Sequence, residues 1–377
     1  MRGAGPSKPP SSAIVLGRRA QNRALLARQL LLRRAGISAA EALEHLVGMQ
    51  SQAADPPYLG LWSRVAGFRL EDLSELVTAR RAVRVALMRS TVHLVTARDC
   101  LAIRPLLQPM VERAYKSTHG KRIGGLDPRV VAEAGRALVE EAPRTFAELG
   151  QCLSARFPAG EPEALAQTVR ALVPLVQVPP RGLWGQSGAA AHTSAEAWLG
   201  RALATGSIDD LVIRYLRAFG PATVKDVQTW CGLTRLAEVI ERLRPRLVTF
   251  HDEHGNVLFD LPDAPRPDPD TDAPIRFVTA FDNLLLSHDD RTRILGDVSP
   301  KRIMTVNGIV RATLLIDGFV HGTWKIEEER AEAALIVSPF RPIPKRVRAE
   351  LTEEGERLLA FAAAGASKRA IRFETPA

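Results

Sequence analysis

The chain is 377 residues long, carries a formal net charge of +9 and contains three cysteines. That length supports several small domains with real cores, and the basic balance favours a polyanionic partner without fixing a fold. Cys100, Cys152 and Cys231 are odd in number and far apart, which argues against a disulfide framework and for a reducing cytoplasm.

No apolar run approaches the roughly 18 residues needed to span a bilayer. Met1–Ser12 is rich in Pro, Ser and Gly and lacks the apolar core of a secretory signal. A soluble, cytoplasmic protein is expected, with residues 1–17 as a disordered tail. Most of the positive charge is arginine, whose fork suits phosphates and guanine edges better than lysine does.

A helix-turn-helix rhythm recurs at intervals of about 80 to 100 residues. In the first unit, residues 18–126, helices are expected at Arg19–Arg34 and Ser38–Val47, followed by Gly48-Met49-Gln50-Ser51-Gln52. Helical Tyr58–Val65 and Leu70–Thr78 come next, then Val83–Arg89 and Thr91–Val95 as a strand pair. A long helix from Ala97 to about Lys116 links this unit to the next.

The second unit, residues 127–205, reads as helices Pro128–Glu140, Thr145–Ala155 and Pro162–Leu172. Strands Leu175–Val178 and Ala189–Thr193 flank a glycine-rich wing, Arg181–Gly188. The third, residues 206–262, is the clearest. Ile208–Phe219 stops at Gly220-Pro221, Thr223 caps Val224–Trp230, and Thr234–Leu243 follows Gly232. Arg246–Phe250 and Val257–Leu261 form a hairpin around His254-Gly255-Asn256. Three helices and a two-stranded wing make a winged helix.

Residues 263–274 alternate Pro and Asp and read as a linker. In residues 275–377 the segments Arg302–Val306, Ile309–Ile316, Phe319–Ile326 and Ala333–Ser338 read as strands. Asn307-Gly308 and Asp317-Gly318 supply the turns, and Pro344–Ala363 the closing helix. The fold class is therefore α+β, mainly helical, with three tandem winged helices and a C-terminal β-rich domain.

Within this frame the paired amides Gln50 and Gln52 are the first candidates for chemistry. An amide offers a donor and an acceptor to one water. Residues two apart share a face on extended backbone and diverge on a helix, and Gly48 and Pro56-Pro57 disfavour a helix there. The bland alternative is two loop glutamines facing solvent. His93 lies in an apolar strand pattern and reads as structural. Asp55 either orients an amide or begins the Asp-Pro-Pro turn, and the turn suffices. Ser287–Arg291 is a solvated loop or a DNA-contacting one. No metal-ligand cluster, phosphate loop or Ser/His/Asp set stands out.

Gln50-Ser51-Gln52 with Tyr58-Leu59-Gly60-Leu61-Trp62-Ser63-Arg64 resembles the winged-helix DNA glycosylase family typified by AlkZ and YcaQ. Met88-Arg89-Ser90-Thr91-Val92-His93-Leu94-Val95 is similar to it as well, as is Phe219-Gly220-Pro221-Ala222-Thr223 with Trp230. Ala280-Phe281-Asp282-Asn283-Leu284-Leu285 and Leu315–Phe319 with Gly322-Thr323-Trp324 complete an ordered set from about residue 18 to 340.

The family motif is Gln, an apolar residue, then Gln in the AlkZ branch or Asp in the YcaQ branch. Gln52 puts this chain on the AlkZ side, and Ser51 departs from the apolar middle. The resemblance implies monofunctional excision of N7-alkylated guanine from double-stranded DNA, bulky adducts and interstrand crosslinks included. The setting is DNA repair or self-resistance to an alkylating natural product. It implies Gln50 and Gln52 as catalytic; Arg64 and Arg89, within the matched motifs, are expected to hold phosphate or fix the active-site loop, and with His288, Arg291 and Arg293 they are the DNA-binding candidates. No cofactor or metal is implied, the protein is expected to be a monomer at the nucleoid, and no lysine beside the motif suggests Schiff-base chemistry. A non-enzymatic winged-helix regulator is the alternative from another class.

Overall fold

The computed structural model describes residues 14–376. Helices α1 (Arg18–Arg28) and α2 (Ala39–His45) are followed by strand β1 (Met49–Gln50), α3 (Pro56–Trp62), α4 (Leu70–Thr78), β2 (Ala82–Ala86) and β3 (Val92–Thr96). Local chemistry accounts for these limits. The Ser38 hydroxyl accepts from the Glu41 N–H while the Glu41 carboxylate takes the Ser38 N–H, a capping box that satisfies two orphan donors. Pro56 and Pro57 occupy the first turn of α3, where a missing N–H removes no helical bond.

The expected helix from Ala97 to Lys116 is two helices, α5 (Ala97–Leu106) and α6 (Gln108–Thr118). Pro105 lies inside the end of α5 and Pro109 in the first turn of α6, so two backbone donors are missing at the junction.

Then come α7 (Pro128–Glu141), α8 (Phe146–Arg156), α9 (Pro162–Leu172), β4 (Leu175–Gln177), β5 (His192–Ser194) and α10 (Ala195–Leu199). β4 and β5 pair antiparallel around the glycine-rich loop, as expected, but they also join the first unit. Val176 of β4 pairs with Val85 of β2, giving one five-stranded sheet in the order β1-β3-β2-β4-β5. Backbone hydrogen bonds thus cross the boundary expected at residue 126.

Helices α11 (Ile208–Phe219), α12 (Val224–Cys231) and α13 (Leu236–Leu243) and strands β6 (Val248–His251) and β7 (Val257–Asp260) follow, the two strands forming their own sheet. Thr223 and Asp226 make the capping box of α12, and Gly232 ends it in the left-handed region. Residues 14–17 fall within the expected tail, yet Val15 bridges His251 and the Leu16 N–H bonds its carbonyl at 2.8 Å. That part of the tail is docked on β6; residues 1–13 lie outside the described residues.

The C-terminal part holds β8 (Arg276–Val278), α14 (Thr292–Leu295), β9 (Thr313–Ile316), β10 (Phe319–Glu329), β11 (Glu332–Pro339), α15 (Lys345–Ala362) and β12 (Lys368–Phe373), with sheet order β12-β11-β10-β9-β8. Asp317 and Gly318 both have positive φ, the twist a tight β9–β10 hairpin needs. The strand expected at Arg302–Val306 is absent. Pro300–Arg302 is a 3-10 turn, and a single Met304–Val310 bridge closes the Asn307-Gly308 turn. β8 and β12 were not anticipated, and β12 pairs parallel to β11.

α1 packs on α11 and α14, and its arginines fasten the linker. Nε of Arg19 bonds the Pro269 carbonyl at 2.7 Å, Nε of Arg23 that of Thr271 at 2.6 Å, and Nη2 of Arg28 that of Pro265 at 3.1 Å. Residues 263–274 form no helix or strand, but they are strapped down along their length. Among the described residues no helix is long and apolar enough to cross a membrane.

Candidate active site

Gly48 introduces the glutamine segment with φ +87°, and a Cβ there would lie 2.4 Å from a Val95 methyl. Only glycine admits this approach. β1 then pairs antiparallel with β3, Gln50 opposite His93. The Ser51 N–H bonds the Val92 carbonyl at 2.7 Å, extending the ladder one residue. Gln52 begins a bend and is exposed, whereas Gln50 is 6% exposed. The two amides therefore straddle the end of the strand.

Ser51 is buried. Its hydroxyl donates to the Ala53 carbonyl at 3.2 Å, so a serine in the usually apolar position is satisfied within its own loop. The Ser51 carbonyl accepts from Nη2 of Arg84 at 2.5 Å. Arg84 is the single charged residue of β2, and burial pushes its guanidinium down to about 10, still protonated at neutral pH. It lies under Gly182 of the glycine-rich loop, where a Cβ would meet its Cδ at 2.7 Å. Tyr58 ties that loop to α3: its hydroxyl donates to the Gly182 carbonyl and accepts from the Trp184 N–H.

Arg89 stands behind Gln50. Its Nη2 donates to Gln50 Oε1 at 2.7 Å and to Asn283 Oδ1 at 3.2 Å, and its Nη1 to the Trp230 carbonyl at 2.6 Å. Burial lowers its pKa to about 10, with Arg291 adding repulsion. Arg89 and Ser90 both have left-handed backbone, φ 56° and 60°. Such residues cost on the order of 1–3 kcal/mol each and cluster at functional sites.

Asn283 also donates to the Gly48 carbonyl at 3.3 Å. Its neighbour Asp282 holds Arg64 at 2.9 Å, and both side chains are buried. A cavity lined by Gln50, Gln29, Arg64, Asp282 and Asn283 leaves about 10 Å³ for the centre of a water molecule, room for roughly one. Asp282 Oδ2 and Arg64 Nε, both buried, lack a protein partner, so a single water suits this cavity.

Several expected DNA contacts are interior. Arg64 is 1% exposed and holds Asp282 and the Gly60 carbonyl. His288 is also buried, with its Nε2 on the Phe219 carbonyl at 3.0 Å. Arg293 is buried on the Pro221 carbonyl, near Asp226. No phosphate reaches these three without unpacking the core, so they are corrected to structural positions. Arg291 is partly exposed, with Nη1 on the Met304 sulfur. His93 is fully buried and held down to about 3 by burial and by Arg89, so it is neutral and no proton shuttle at ordinary pH.

A family model described as AlkZ-like DNA glycosylase matches residues 43–361, which contain every one of these groups except Gln29. The chain belongs to the AlkZ-like DNA glycosylase family. Among solved structures it is similar to the Streptomyces sahachiroi DNA glycosylase AlkZ, with a TM-score of 0.77 and 20% identity. The likeness covers 96% of this chain and 100% of that one and speaks for a shared fold. No curated protein matches.

Within this AlkZ-like chain, sequence reasoning missed Asn283, Asp282 and Arg84 as supports of the glutamine segment. Signals existed. Arg84 is a lone charge in the apolar run Ala82-Val83-Arg84-Val85-Ala86, and Asp282-Asn283 sits among apolar residues. Both patterns mark polar groups destined for burial with a partner.

Proposed function

We propose that the protein is a monofunctional DNA glycosylase that removes N7-alkylated guanine from duplex DNA, bulky adducts and crosslinked bases included. The observation that carries this reading is Gln50, fixed at a strand edge by Arg89, which Asn283 braces in turn, with exposed Gln52 two residues on.

N7 alkylation makes guanine cationic and hence a good leaving group. The C1′–N9 bond breaks with its electron pair going to the base, which neutralises the ring. Water oxygen bonds C1′ and one proton passes to solvent. The enzyme must then place a water against an oxocarbenium-like sugar more than activate it, which amides can do. A base tethered to the opposite strand cannot swing into a deep pocket, and an exposed Gln52 fits an open approach. The helix-and-hairpin units are read as winged helices facing the duplex, with Arg291 as a phosphate contact beside the site.

The test is a duplex containing 7-methylguanine, assayed for abasic sites by alkaline strand cleavage. Wild type releases the base. Gln50→Ala and Gln52→Ala keep DNA affinity and lose excision about a hundredfold or more, because a water-positioning group adds little ground-state binding. Binding with no release from this or a crosslinked duplex identifies a DNA-binding regulator instead.

A further inference from the structure

The polarity of Gln50 is not free. A guanidinium has donors alone, so Arg89 Nη2 at 2.7 Å must face the amide oxygen. The same nitrogen fixes Oδ1 of Asn283, whose NH₂ is then turned to the Gly48 carbonyl. Arg89 is pinned at its other end by the Trp230 carbonyl. The Gln50 NH₂ is therefore turned away from Arg89. Among the described residues this nitrogen has no protein acceptor and is not sealed from solvent. Gln52 is exposed and carries no such constraint.

We infer that Arg89 is a positioning residue that divides labour between the two glutamines: Gln50 is a donor alone, and Gln52 supplies the acceptor for the attacking water. The inference rests on the glycosylase reading above. The water oxygen accepts from Gln50 Nε2 and gives one O–H to Gln52 Oε1, leaving a lone pair for C1′. Donation to the water lowers its nucleophilicity, which matters little when the bond to the base is largely broken before attack. Arg89 acts through the orientation of Gln50 and touches no reacting atom.

The division predicts opposite tolerance for a carboxylate at the two positions. Glutamate at 52 remains an acceptor; glutamate at 50 pairs with Arg89 and offers no donor. Single-turnover excision of 7-methylguanine is measured for Gln50→Glu, Gln52→Glu, Arg89→Met, Arg89→Lys, Gln50→Ala and the Arg89→Met/Gln50→Ala double variant, each with its melting temperature and DNA affinity. Gln52→Glu exceeds Gln50→Glu by at least about thirtyfold, and its rate acquires an acid limb where the new carboxylate protonates. Gln50→Glu melts no lower than wild type.

Arg89→Met loses rate with DNA affinity unchanged, and Arg89→Lys, again all donor, recovers part of it. The double variant is no slower than the slower single one, because both changes remove the same function. A faster Gln50→Glu than Gln52→Glu, or additive losses in the double variant, overturns the assignment while leaving the glycosylase reading in place. A wild type that releases no base overturns both.

Discussion

At the scale of residues, buried arginines do the arranging around the glutamines. Arg64, Arg84 and Arg89 each donate to more than one oxygen around the Gln50–Gln52 segment, Arg84 through Nη2 alone, and Arg64 alone of them has a carboxylate partner, Asp282. Truncating one member of a buried ion pair leaves the other charge stranded, at a cost of about 3–5 kcal/mol. Arg64→Ala is therefore expected to lower unfolding free energy by that order in urea titrations. The salt dependence of DNA binding should keep its slope, since no phosphate contact is lost. A flattened slope with unchanged stability would restore Arg64 to the DNA surface.

At the scale of elements, the glycine-rich loop of residues 181–188 serves the first unit as much as the second. Gly182 has φ +99° and lies over Arg84, which in turn holds the Ser51 and Ala53 carbonyls. Gly182→Ala is expected to displace Arg84 and slow excision about tenfold or more, with helix content by circular dichroism unchanged. Normal excision by this variant would show that Arg84 is dispensable to the motif.

This loop also marks where the sequence stops being legible. Helix limits were readable because their determinants are local, as in the capping boxes Ser38/Glu41, Thr145/Glu148 and Thr223/Asp226. The turn at Asp317-Gly318 was readable for the same reason. Strand partners were not. Nothing within β4 says that Val176 meets Val85 of the first unit as well as Thr193 of its own, and β12 depends on a parallel partner beyond a helix. The site divides likewise. Gln50 and Gln52 announce themselves by spacing, whereas Arg89 and Asn283 are brought together across 194 positions.

At the scale of the whole molecule, burial of neutral histidines ties stability to pH. His93, facing Arg89, is lowered to about 3, and His192, near Arg170 and Arg84, to about 4, in both cases chiefly by burial. Below about pH 6.5 the unfolded chain takes up protons that the native one refuses, so stability falls as pH drops and is fully present above that value. The loss is about 1.4 kcal/mol per histidine per pH unit until the folded values are reached. Unfolding free energies from urea titrations at pH 7.5 and 5.5 should differ by about 2–3 kcal/mol from these two groups, with the midpoint lower at pH 5.5. Equal midpoints would place both rings in contact with solvent.

The straps on α1 have a consequence for synthesis. Arg23 and Asp317, ion-paired in the finished protein, stand 294 positions apart, and Arg28 and Asp260 stand 232 apart. At translation rates of about 5–20 residues per second, roughly 15–60 s separate Arg23 from its partner. Until each partner is made, the guanidinium destined for it has water as its counterpart, although α11, on which α1 also packs, is synthesised earlier. The first of the described helices is thus ion-paired only late in synthesis.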